Sequence, residues 1–226
     1  MHDDEMITRT EAFVQERLAG ADPSHDWWHV IRVRRLARWI AGNERKPVDL
    51  LVIDLAALLH DVADWKQHGG DLEAGPAVVR AWLSSLGAST ALIDHVAGIV
   101  AGISYRGAGV PTPMRTIEGA AVQDADRLDA LGAIGIARAF AYGGARGRAL
   151  YDPAVPPVMH ATAGDYFSSA GPTINHFYEK LLALRDRMQT ETGRRLADER
   201  HRFVEEFLAQ FLAEWEGRDA NDAWHV

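Results

Sequence analysis

The stretch KPVDLLVIDLAALLHDVADW, residues 46–65, decides how the chain is read. From Leu50 to Leu59 it is apolar on nearly every side of a helix, the pattern of a helix enclosed by protein. That run then meets His60 and Asp61 side by side, with Asp64 four residues after His60. Charge carried into an apolar interior is costly unless it is paired or bound to a metal. The placement therefore asks for a partner.

Working outward, helical periodicity recurs. EAFVQERLAG sets Phe13, Val14 and Leu18 on one face and ends in glycine. Asp22 and Ser24, around Pro23, are cap candidates for a second helix that continues through HVIRVRRLARWIAGNE, with Val30, Val33, Ala37 and Ile40 at threes and fours. DLEAGPAVVRAWLSSLGAS and STALIDHVAGIVAGIS read as two more helices, joined by a break at Gly87. IEGAAVQDADRLDALGAIGIARAFAYGG reads as one long buried helix or a pair. Cleanly alternating β-branched runs are scarce, so the expected fold class is all-α. Residues 143–172 are rich in Gly, Pro and Ser and long for a connector, as lids and binding segments often are. Two amphipathic helices follow within 173–217.

The 226 residues suit a single domain, with 47% hydrophobic and 25% charged residues. A formal net charge of −8 argues against broad duplex nucleic-acid binding while leaving room for a local basic pocket. There is no cysteine, so any metal must be held by His, Asp and Glu. The acidic start MHDDEMITRT carries no apolar signal segment, and no run approaches the roughly 20 apolar residues that span a bilayer. A cytoplasmic protein that meets no membrane is expected.

Three segments carry candidate ligands: HDWWH with His25 and His29, the His60-Asp61 pair, and QDADRLD with Asp124, Asp126 and Asp129. Each has a plain structural reading. A lone core His is more often hydrogen-bonded than metal-bound, Asp126 can pair with Arg127, and His25 and Asp26 suit a helix start. Several such groups on separate core-facing helices are a stronger signal than any one alone.

Together they resemble the H…HD…D pattern of the HD-domain phosphohydrolase superfamily. His29 opens HVIRV, matching H-x-x-x-V, and Asp126 sits in ADRL, matching A-D-[KR]-L. The core resemblance spans about residues 20–140. Beyond it, LAALLHDVADWK, ISYRG, INHFYEKLL and TETGRRLADERHRFVEEFL resemble a bacterial branch of small, single-domain HD hydrolases that includes metal-dependent nucleotide pyrophosphohydrolases. The resemblance implies an HD-type helical bundle with additional C-terminal helices. It implies His29, His60, Asp61 and Asp126 as ligands of a divalent ion, with Mn favoured among Mn, Fe, Co, Ni, Zn and Mg. Some HD enzymes bind a second metal through paired histidines that here are replaced by Gly102 and Ile103, so one metal is expected, with His95 in a structural or supporting role.

Related nucleotidases carry an acid, usually Glu, at the position of Asp64, where it orients or deprotonates the attacking water; the plain alternative is a pair with Lys66. Candidates for contacting substrate phosphate are His25, Lys66, Arg106, His176 and Lys180. Trp27 and Trp28 offer a surface for a base, with at least one of them in the core. The runs RVRRLAR and GRRLADERHR read as solvated faces with local ion pairs. His160, Asp165 and Tyr166 in the long loop are polar groups without an assigned role. The implied reaction cleaves a (deoxy)nucleoside triphosphate to monophosphate and pyrophosphate. The alternatives are nucleotidase or alarmone hydrolysis at the same site, other hydrolytic or lyase chemistry, and a metal-containing ligand sensor without turnover. Oligomeric state stays open, a homodimer included.

Overall fold

The computed structural model describes residues 2–20, 26–63, 68–107, 109–162, 164–165 and 170–219, and among these there is no strand. The chain runs through α1 (Asp3–Arg17), α2 (Trp27–Asn43), α3 (Leu50–Leu59), α4 (Ala74–Ser85), α5 (Thr90–Ile103), α6 (Ile117–Asp129) and α7 (Gly132–Ala145). A composite helix, α8, spans 173–187, and α9 (Glu191–Trp215) closes the fold. One buried apolar cluster extends from Met6 in α1 to Leu208 in α9. No described helix is long and apolar enough to cross a membrane.

The central helix is α3. The Asp49 side chain caps it by accepting from the backbone N–H groups of Leu51 and Val52, and every residue from Val52 to Leu59 is buried. Helices α1, α2, α5 and α6 surround it. Its one buried charge, Asp54, accepts from Arg34 Nε at 2.8 Å and pairs with Arg38. The arginine run of α2 is therefore not simply a solvated face: Arg34 and Arg38 turn toward a carboxylate of the core, because an unpaired Asp54 there would be far more costly.

Two boundaries differ from expectation. The cap of α2 is Asp26, which accepts from His29 N at 2.9 Å; Asp22 and Ser24 lie outside the described residues. The segment 143–172 starts late, since α7 carries helix through Ala145. The long buried run resolves into a pair, α6 and α7. The break falls at Ala130–Leu131, and Gly132 adopts a positive φ of 68° that a side chain would resist.

The sequence pattern of α8 reads as uniform, yet its middle is π-helical over Phe177–Leu181 and its end is a 3₁₀ turn at Arg185–Arg187. The widened turn points Glu179 inward, 5% exposed, where it accepts from Val158 N at 3.0 Å. The long loop is thereby strapped to α8, with further bonds from Thr173 N to Ala149 O at 2.9 Å and Asn175 Nδ2 to Val155 O at 2.9 Å.

Entry into α9 is held from α6. Buried Asp124 accepts from the backbone of Gln189 and Thr190 and from the Thr190 hydroxyl. A Cβ at Gly193 would press on Asp124 Oδ2 and stand 2.7 Å from Thr190 Oγ1. Gly193→Ala is expected to destabilise the fold by about 1–3 kcal/mol through overpacking; thermal unfolding followed by circular dichroism measures this.

Candidate metal centre

Three chain segments meet at one buried point. His29 is the third residue of α2, fixed from below by the Asp26 cap. His60 and Asp61 follow the last residue of α3, where the helix gives way to a turn. Asp126 occupies the last turn of α6. Ligand atoms of His29, His60 and Asp126 all lie within 4.8 Å of one another. His29 Nε2 is 3.1 Å from His60 Nε2, 3.4 Å from Asp61 Oδ2 and 3.4 Å from Asp126 Oδ1. His60 Nε2 is 3.5 Å from Asp61 Oδ2 and 3.9 Å from Asp126 Oδ1.

The far side of each imidazole decides what this cluster can hold. His60 Nδ1 faces the Ala57 carbonyl at 2.8 Å, and His29 Nδ1 faces Asp129 Oδ2 at 2.7 Å. Carbonyl and carboxylate oxygens only accept, so both Nδ1 atoms carry protons. In their neutral form both rings present Nε2 lone pairs to each other and to two carboxylates. Four acceptors around one point need a cation at its centre. Two donors each about 2.1 Å from a shared ion stand about 3.0–3.4 Å apart at ordinary coordination angles. The observed separations match that range or lie slightly outside it, so the donor set fits a divalent ion.

The electrostatics agree. Burial and nearby Arg138 disfavour a charged His29, yet hydrogen bonds to Asp126, Asp129 and Asp61 outweigh them and push its pKa up to about 10. Burial would raise Asp126, but His29 and His60 hold it below the usual carboxylate range. Burial would likewise raise Asp129, and His29, Arg32 and Arg138 hold it low. A metal dication competes for the same place as the extra proton.

The remaining candidates scatter. His25, Asp64, Lys66 and Tyr166 lie outside the described residues. The assigned helix α3 ends at Leu59, and residues 60–63 form a turn. Arg106 is half-buried, donates to Ala101 O, and has a buried Nε without a hydrogen-bond partner. His176 and Lys180 stand one turn apart on α8, with Lys180 Nζ 5.7 Å from the Tyr105 ring centroid. Arg187, which sequence reading passed over, lies 4.9 Å from the same ring. Asp126 and Arg127 do not pair: Arg127 is buried and donates to Thr112 Oγ1 at 2.8 Å and to Arg187 O. Burial lowers its pKa to about 10, partly offset by Asp124 and Asp126.

His95 contacts Thr116 Oγ1 at 3.0 Å, at the opposite end of α6 from Asp126 and about 15 Å along the axis at 1.5 Å per residue. That is a structural position. His160 is buried, 3.8 Å from Glu179 Oε2, and Asp165 accepts from Thr162 Oγ1 at 2.7 Å. Trp27 packs against the core, whereas Trp28 is 64% exposed. Asp129, a ligand candidate by residue type, stands behind His29 instead of beside it.

Comparison with known proteins converges on these same segments. The HD domain family model matches residues 27–131. The uncharacterized protein YpgQ of Bacillus subtilis (strain 168) is 40% identical over 210 residues, covering 92% of this chain and 93% of the relative. A crystal structure of a Lactobacillus plantarum protein superposes with a TM-score of 0.85 at 36% identity, covering 96% of this chain and all of that one. A Bacillus thuringiensis HD-superfamily hydrolase superposes at 0.71 and 43% identity, covering 95% and 99%. The crystal structure of B. subtilis YpgQ in complex with ADP superposes at 0.69 and 34% identity, covering 92% and 96%.

Proposed function

The chain belongs to the HD-domain family, and from that premise we propose that it is a metal-dependent phosphohydrolase that cleaves nucleoside triphosphates to monophosphate and pyrophosphate. The observation that carries the reading is the convergence of His29, His60, Asp61 and Asp126 with both imidazole Nε2 atoms facing inward. Two neutral imidazoles and two carboxylates balance a dication. When bound, the ion supplies Lewis acidity at a phosphoryl oxygen and acidifies water.

The protein's own groups divide the other tasks. Asp64, next in chain after the ligand turn, orients the attacking water and takes its proton. Attack at the α-phosphorus forms the new P–O bond as the bond to the bridging oxygen breaks and pyrophosphate leaves. Lys180 and Arg187, both near the Tyr105 ring, carry positive charge suited to the β- and γ-phosphates, with His25, Lys66, Arg106 and His176 as further contacts. The ADP complex of YpgQ supports a nucleotide as ligand. Exposed Trp28 offers a face for its base.

The test strips the protein with chelator and restores Mn, Co, Ni, Mg or Zn singly. Each form is offered the eight common ribo- and deoxynucleoside triphosphates, with phosphate and pyrophosphate detected separately. Pyrophosphate release, highest with Mn, is expected. Phosphate release alone moves the reaction to a phosphatase at the same site. Bound metal without turnover on any phosphorylated substrate favours a ligand sensor.

A further inference from the structure

We propose that Asp129 is a positioning residue of the metal centre and that Arg32 and Arg138 restrain its pull on His29, leaving a bound ion more electron-poor than a lone aspartate would. The inference rests on the metal-binding part of the proposed function and on nothing about the substrate.

Asp129 is 3% exposed, and its carboxylate accepts four hydrogen bonds. Oδ2 takes one from His29 Nδ1 at 2.7 Å, one from Arg32 at 3.0 Å and one from Arg138 at 2.9 Å. Oδ1 takes one from Arg32 Nε at 2.7 Å. Arg32 sits one helical turn after His29 on α2, while Arg138 comes from α7. Three helices thus close around one carboxylate.

The first consequence is a fixed tautomer. A carboxylate only accepts, so His29 keeps its proton on Nδ1 and offers Nε2 to the ion. The second concerns donor strength. A carboxylate behind a metal-bound histidine draws on the Nδ1 proton, makes Nε2 more basic and tightens metal binding. Here the same Oδ2 is shared among three donors, so less of its charge is spent on His29. Arg138 already opposes positive charge on His29. The arrangement keeps the imidazole in place while limiting how much electron density reaches the ion, which favours Lewis acidity over affinity.

The two halves of the proposal predict opposite signs. Asp129→Asn removes the carboxylate that holds the His29 Nδ1 proton, so manganese binding weakens by about 10–100-fold. Arg138→Gln removes a positive charge and frees Oδ2 for His29, so manganese binding tightens. A purely architectural role would weaken binding in both. The experiment is calorimetric titration of metal-free full-length protein and both variants with Mn²⁺, with circular dichroism to confirm folding. Weakening in Asp129→Asn with tightening in Arg138→Gln supports the proposal. Unchanged affinity in Asp129→Asn overturns the positioning role, and weaker binding in a folded Arg138→Gln overturns the restraint. If Asp129→Asn does not fold, the sign in Arg138→Gln decides. Failure of the wild type to bind any of Mn, Co, Ni, Mg or Zn in the same titration overturns the metal-binding reading itself, a separate result.

Discussion

Asp126→Ala is expected to abolish metal-dependent turnover, by about 10³-fold or more, while leaving the helical fold intact. The carboxylate sits 3.4 Å from His29 Nε2 and 3.9 Å from His60 Nε2, and it is one of only two negative charges in the four-donor set. Losing it removes a donor and half the charge that balances a dication. Several kcal/mol of metal stabilisation is at stake, and each 1.4 kcal/mol in a barrier is a factor of about ten. The fold has less to lose, because the side chain keeps 28% of its surface toward solvent and its neighbours Asp124 and Arg127 make their bonds on other faces of α6. The measurement pairs initial rates of pyrophosphate release with thermal unfolding with and without Mn²⁺. The wild type should gain stability on metal addition, as any ligand of the native state confers. The variant should lose that gain and keep its metal-free melting temperature within a few degrees. Wild-type rates in the variant would place the active site elsewhere.

How much of this was readable in advance depends on the range of the interaction. Helix α3 announced itself because nine of its ten positions are apolar, and the His60-Asp61 pair at its end stood out against that background. The ADRL context singled out Asp126, whose carboxylate the structure brings 3.4 Å from His29 Nε2. The three carboxylates of QDADRLD were visible together, but their separate roles were not. Asp124 binds a helix start 65 residues away, and Asp129 meets Arg32 across 97 residues. Local periodicity carries no information about such contacts. For the same reason the arginines of α2 read as surface residues, although Arg34 and Arg38 hold Asp54. The π-helical turn in α8 was hidden because one widened turn barely disturbs an amphipathic pattern, yet it turns Glu179 inward to the strapping loop. Asp22, Ser24 and Asp26 are all acceptable caps of α2 by residue type, and the backbone identifies Asp26 as the cap.

Asp124→Ala should have the opposite profile to Asp126→Ala, with a large loss of stability. Asp124 is fully buried and accepts from Gln189 N at 3.0 Å, Thr190 N at 2.8 Å and Thr190 Oγ1 at 2.8 Å. Burial raises its pKa while these bonds pull it back, so part of their strength offsets the cost of a desolvated carboxylate. Removing the side chain spares that cost but strands three donors at the start of α9, each worth about 1–3 kcal/mol when left unsatisfied. A net loss of about 3–5 kcal/mol is expected, a large share of the 5–15 kcal/mol typical of a folded domain. Urea unfolding should show it as a lower midpoint. Asp124→Asn, which retains an acceptor oxygen, should fall in between. A double-mutant cycle sharpens the assignment, because the methyl of Gly193→Ala collides chiefly with Asp124 itself. In an Asp124→Ala background that obstacle is gone, so Gly193→Ala should cost less than in the wild type. Strict additivity of the two substitutions would mean that the contact between Asp124 and the first turn of α9 is not what fixes this corner of the fold.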